Sequence, residues 1–164
     1  LAQDIHYILL RDLLTGLPNR HAYMKDTAKF PFKYSLAVIC LDNFEHLQKI
    51  LGNFKTKNLL HMLANRLSEL ETENPIYRYS RHEFILIFKN DTLKTSFEKL
   101  EQIRKEIASS EFMFSPKQKG LKITISACVS EKKRNDANAM EVLVRAHRML
   151  EKAQQFTQNL ISKA

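Results

Sequence analysis

The sequence predicts an α/β (α+β) domain: a central mixed, mostly antiparallel sheet with helices on both faces. Three observations predict it. Leu36-Ala37-Val38-Ile39-Cys40-Leu41 is a continuous apolar run, the mark of a strand covered on both faces and therefore central. Ile76–Tyr79 and Phe84–Phe88 are strand-like runs separated by only four residues, so they form a hairpin. The element order is helix, strand, two helices, hairpin, helix, strand, helix. Strands interleaved with helices but including a hairpin argue against a doubly wound parallel sheet.

Each element has its own local reason. Leu1–Leu10 contains no breaker and places Ile5, Ile8 and Leu9 at helical spacing, the end of a helix entering from upstream. Asp12–Arg20, carrying Gly16 and Pro18, is a turn, followed by a helix from Asn19 to about Lys29. After the central strand a short helix spans Asp42–Leu51 and ends near Gly52. A longer helix covers Lys55–Glu71, with Leu59, Leu63, Leu67 and Leu70 as one stripe. Asp91–Ala108 is amphipathic, with Leu93, Phe97, Leu100 and Ile107 facing the core. Leu121, Ile123, Ile125 and Ala127 alternate with Lys122, Thr124 and Ser126, which predicts a strand with one polar face. Glu131–Asn138 is a polar loop, and Met140–Gln155 closes the chain as a helix. Phe112, Met113 and Phe114 fit an edge strand or a contact patch equally well.

A length of 164 residues fits one domain with a real core. No apolar run approaches the ~20 residues that cross a bilayer. The chain opens on Leu1 rather than Met, so it is expected to be a piece of a longer protein, with any membrane anchor outside it. Cys40 and Cys128 each sit in an apolar strand-like run and suggest no disulfide scaffold, which points to a reduced, cytoplasmic compartment. The net charge of +8 is scattered apart from Lys117–Lys119 and Lys132–Arg134. Neither cluster interleaves with aromatics as a base-stacking platform does, so the charge is taken as a solvated surface and no nucleic-acid partner is expected.

Two segments carry a resemblance. Asp12-Leu13-Leu14-Thr15-Gly16-Leu17-Pro18-Asn19-Arg20 matches D-x-L-T-G-L-x-N-R at every fixed position, and Arg78-Tyr79-Ser80-Arg81-His82-Glu83-Phe84 stands where R-Y-G-G-[DE]-E-F would. The chain thus resembles the GGDEF family of diguanylate cyclases, with residues 1–11 as an incoming signalling helix and 12–164 as the domain. The resemblance implies a ferredoxin-like sandwich related to nucleotide-cyclase palms. It also implies an activity that joins two GTP molecules into cyclic di-GMP with divalent metal, two domains meeting face to face.

Carried over position by position, the implied site is degenerate. Cys40 replaces the metal-binding Asp at the end of the first strand, and a thiol is a poor ligand for Mg²⁺. His82 replaces the acidic residue of the motif. Glu83 and Asp42 remain. Ser80 and Arg81 replace two glycines whose lack of a Cβ lets backbone approach the nucleotide. Gln48 and Lys57 replace the Asn and Asp that read guanine, and Lys57 cannot accept the base's hydrogens. Gln154 and Gln158 replace the Lys and Arg that touch the triphosphate, removing two charge-assisted bonds. Glu71 and Asn74 stand at the anchors of the inhibitory product site, so that site is absent. Asp12, Thr15, Gly16, Asn19 and Arg20, the residues that shape the signature turn, are kept.

These readings converge on a catalytically inactive GGDEF domain that acts as a regulatory or interaction module in a cyclic di-GMP signalling protein. Neither Mg²⁺ nor GTP is expected as a cofactor. The partners implied are a flanking sensor or EAL-type phosphodiesterase domain, and a second copy through the N-terminal helix. A cyclase with an atypical site and a pure dimerisation scaffold are the alternatives. His82 beside Glu83, with His46 and Asp42 near, would be the nearest thing to a replacement metal site. Cys40 is either a reactive thiol or a small hydrophobe. Arg81 at the hairpin tip is either a solvated charge or a reader of an acidic partner.

Overall fold

The computed structural model describes residues 2–164; Leu1, placed in the first helix above, lies outside them. The chain runs α1 (Ala2–Leu10), α2 (Arg20–Asp26) with a 3₁₀ turn at Thr27–Lys29, β1 (Tyr34–Leu41), α3 (Phe44–Leu70), β2 (Ile76–Arg78), β3 (Glu83–Lys89), α4 (Leu93–Ser109), β4 (Ile125–Glu131), α5 (Ala139–Gln154) and β5 (Ile161–Lys163). The five strands form one sheet in the order β2-β3-β1-β4-β5. β1 pairs antiparallel with β3 and β4, β2 pairs antiparallel with β3, and β5 runs parallel to β4.

Period-two geometry sorts the core into two layers. From β1, Ala37, Ile39 and Leu41 face one side, where Leu59, Leu63 and Leu67 of α3 and Leu100 and Ile107 of α4 cover them. Leu36, Val38 and Cys40 face the other, under Ala22 and Tyr23 of α2 and Val142, Leu143 and Ala146 of α5. Every residue of β1 is buried, as a central strand requires. The two helices expected on either side of Gly52 run end to end as α3. Gly52 breaks the helical geometry between them at φ 80, ψ 171, a conformation that glycine adopts without a Cβ penalty.

The fourth strand departs from expectation. Ladder pairing covers Ile125–Glu131 rather than Leu121–Ala127, and Leu121 makes only an isolated bridge to Phe112. Its presumed polar face is not solvated either. Ser126 and Ser130 are fully buried, because α5 covers that side of the sheet. Phe112 is buried and Phe114 packs against the core, while Met113 is 44% exposed; the segment is a bridge and a packing loop, not an edge strand. β5 has no counterpart in the sequence reading, since three residues carry too little periodicity to be seen.

Candidate functional site

The signature turn is built first. Thr15 donates to the Asp12 carboxylate through its backbone N–H at 2.9 Å and its hydroxyl at 2.6 Å. The Gly16 N–H closes the turn on the Asp12 carbonyl at 2.8 Å, with Gly16 at φ 74. Asn19 caps α2 by accepting from the Ala22 N–H and donates to the Leu9 carbonyl, which ties the incoming helix to the domain. Arg78 of β2 then reaches back. Its guanidinium meets Asp12 at 3.0 and 3.1 Å and the Arg81 carbonyl at 2.9 Å. Arg20 lies over the Tyr79 ring, 4.5 Å from its centroid. The turn and the hairpin tip are therefore one unit.

Two concavities flank that tip. The first, a cleft of about 720 Å³, opens between the end of β1, the hairpin and the C-terminal end of α5. Cys40, His82, Glu83, Gln154 and Gln158 come together along it. Cys40 sits directly opposite Glu83 in the β1–β3 ladder. The Gln154 amide donates to the Cys40 sulfur at 2.8 Å. Burial pushes that thiol up to about 12, with the nearby Asp42 charge acting in the same direction, so it stays protonated. His82 stacks on Phe44, ring centroids 4.9 Å apart and 12° from parallel, and burial pushes its imidazole down. Glu83 accepts from the Ser80 hydroxyl at 2.6 Å and lies 3.1 Å from His147 Nε2. The His147 bond is the main reason its carboxyl stays below the ordinary range, against the opposing effect of burial.

Mg²⁺ does not fit these residues. It needs several hard oxygen ligands in octahedral order. Where β1 meets the hairpin, the cleft offers a protonated thiol under an amide donor, a stacked imidazole, and a carboxylate already engaged by a hydroxyl and an imidazole; Glu45 and Glu151 also line the cleft but are not grouped with them around one point. Asp42, expected near the metal position, faces elsewhere. It is buried and accepts from the Thr124 and Ser126 hydroxyls, both at 2.8 Å, and from the Asn159 N–H at 2.9 Å. The group imagined from His82, Glu83, His46 and Asp42 is thus not assembled. Among the described residues no three His, Cys, Asp or Glu side chains are placed to share a metal ion.

Charge in the cleft is also wrong for a triphosphate. Glu45, Glu83 and Glu151 line it against the single ammonium of Lys49. With one ammonium against them, three carboxylates leave the cleft net negative, which disfavours phosphate.

The second concavity, about 460 Å³, lies on the other side of Phe44 between the signature turn and α3. Gln48, Lys57 and Arg81 meet there. Arg81 lies over the Phe44 ring at 4.9 Å and approaches the Gln48 amide oxygen at 3.4 Å. Its side chain occupies space that a glycine would leave open. Glu71 and Asn74 shape the loop before β2. Glu71 accepts from the Glu73 and Asn74 N–H groups, and Asn74 accepts from the Lys89 N–H at 3.0 Å.

Several members of the site were not singled out beforehand. His147 is the main one, brought from α5 to within 3.1 Å of Glu83. Phe44, Glu45, Lys49 and Glu151 carried no signal, since only the fold brings them to the cleft.

The five-stranded sheet, with the hairpin tip meeting the end of β1, gives the chain the fold of a nucleotide-cyclase palm. It belongs to the GGDEF domain family: the family model described as "Diguanylate cyclase, GGDEF domain" matches residues 9–160. Diguanylate cyclase DgcM of Escherichia coli K12 is 25% identical over 145 residues, covering 84% of this chain and 34% of DgcM; the chain thus spans about a third of that relative. Among solved structures, the coiled coil and GGDEF domain of DgcB from Caulobacter crescentus in complex with c-di-GMP superposes with a TM-score of 0.87 at 21% identity, covering 99% of this chain and 90% of the other. The GGDEF domain of FimX from Pseudomonas aeruginosa gives 0.85 at 24% identity, covering 94% and 99%. At these identities the structures establish the fold alone.

Proposed function

We propose that this is a catalytically silent GGDEF domain, serving as a regulatory or interaction module in a cyclic di-GMP signalling protein, with an EAL-type phosphodiesterase domain as the expected partner in the same protein. The observation that carries this reading is the Gln154–Cys40 contact. At the point where cyclase chemistry requires a carboxylate holding a divalent cation, an amide hydrogen faces a neutral sulfur. Phosphoryl transfer depends on cations that neutralise charge as it develops, and the cleft sets one lysine against three carboxylates. A cytoplasmic location belongs to the same proposal and is supported by both cysteines being free and buried.

The test is incubation of the domain with GTP and Mg²⁺ or Mn²⁺, with product separated by chromatography. No cyclic di-GMP should form, and GTP should give no metal-dependent heat in calorimetry. Turnover in the range of working cyclases overturns the proposal.

A further inference from the structure

The concavity beside Phe44 combines an apolar floor with a basic rim. Its floor is apolar, made by Leu14, Leu60 and the Phe44 ring, and Leu13 stands at its rim 89% exposed. Its charges are Lys57, Arg78 and Arg81 against Asp12 alone. Arg78 is committed to Asp12, which leaves Lys57 and Arg81 as exposed cations. Among the described residues neither forms an ion pair. Around the same hairpin tip, Arg20 and Arg81 line an adjoining recess and extend the basic rim. A pocket that reads guanine must accept hydrogens from the base. This one presents an ammonium and a guanidinium, which donate only, and the acceptors in its lining are already engaged: Asp12 by Arg78, the Gln48 oxygen by Arg81 and the Asn53 oxygen by the Gln48 amide.

We infer that this pocket is a docking site for an acidic, amphipathic peptide segment of a partner protein, with a carboxylate held between Lys57 and Arg81 and an apolar side chain on Leu13, Leu14 and Leu60. Charge complementarity selects the occupant. A guanidinium resting on an aromatic face is oriented for a carboxylate, and a cationic rim around an apolar floor is the usual complement of an acidic amphipathic segment. The inference rests on the silent reading of the domain, because a nucleotide in working geometry would occupy the same space.

The experiment is fluorescence anisotropy with a short fluorescein-labelled peptide of glutamate and leucine, against the same peptide with glutamine for glutamate. The acidic peptide should bind and the glutamine peptide should not. Lys57→Glu and Arg81→Glu should each weaken binding by about tenfold, and added salt should weaken it further. Arg148→Glu, on α5 across the sheet, should leave it unchanged. Equal binding by the Lys57 and Arg81 variants overturns the inference, as does displacement of the peptide by GTP at lower concentration than by free peptide. A domain that makes no cyclic di-GMP yet ignores the peptide refutes the docking site alone, whereas cyclic di-GMP production refutes the silent reading.

Discussion

Arg78 grips both carboxylate oxygens of Asp12, at 3.0 and 3.1 Å, across 66 positions of sequence. The pair joins the opening turn to the hairpin, and the same guanidinium holds the hairpin tip through the Arg81 carbonyl. Burial raises the Asp12 carboxyl, but the Thr15 and Arg78 bonds outweigh it and the net shift is downward. The side chains are 13% and 20% exposed, so truncation leaves a half-buried charge without its partner. Arg78→Ala should cost about 2–3 kcal/mol in urea unfolding. Arg78→Lys should recover only part of this, because an ammonium cannot span Asp12 and the Arg81 carbonyl together. A loss below about 0.5 kcal/mol for the alanine variant, the level of an ordinary surface change, would show that the link is ornamental.

Asp42 ties three segments: the end of β1, the start of β4 and the loop before β5. Replacing it with Ala leaves the Thr124 and Ser126 hydroxyls and the Asn159 N–H without their acceptor. A loss of roughly 3 kcal/mol is expected. Hydrogen exchange should rise selectively across Asn159–Lys163, and unchanged protection there would contradict the assigned role.

Acid stability should report on Arg145 and Asp136. Arg145 meets both Asp136 oxygens, at 2.9 and 2.8 Å, and also the Ser130 hydroxyl and Glu131 carbonyl. The Arg145 bond is the first cause holding the Asp136 carboxyl at about 2. Because the folded value lies below the unfolded one, the contribution is fully present above the unfolded value near 3.8 and is lost as pH falls toward about 2. After discount for solvent, about 1 kcal/mol should disappear in that window. Asp136→Asn should flatten this limb of the stability curve, which thermal unfolding at stepped pH would detect.

Cys40 should be inert in the folded state. Its thiol is 4% exposed and held protonated, so iodoacetamide should label it only on unfolding. Cys40→Asp should destabilise the domain by about 1–3 kcal/mol, since it buries a carboxylate next to Asp42 and Glu83. Mn²⁺ should then raise the melting temperature of the variant while leaving the parent chain unmoved. A comparable rise in the parent would mean that the cleft already holds metal.

Legibility differed between fold and site for a physical reason. The central strand, the hairpin and the helices around Gly52 were visible because burial on both faces, short strand spacing and leucine stripes are local patterns. The register of β4 was not, since Leu121–Thr124 alternates as well as a paired strand does and only the neighbouring β1 decides which residues form the ladder. Asp42 illustrates the same limit. Its place beside the metal position was a matter of counting along the chain, while its actual direction follows from donors more than 80 residues away.

Residue identity alone settled which chemical groups this domain carries: a sulfur, an imidazole, a lysine and an arginine where the family resemblance implies carboxylates and glycines. No conformation restores oxygen ligands from those side chains. What each group does was settled by packing in three dimensions. Burial and the Gln154 amide keep Cys40 neutral, His147 engages Glu83, and Phe44 separates an acidic cleft from a basic pocket. Those relationships depend on distances between elements far apart in the chain, and no local pattern encodes them.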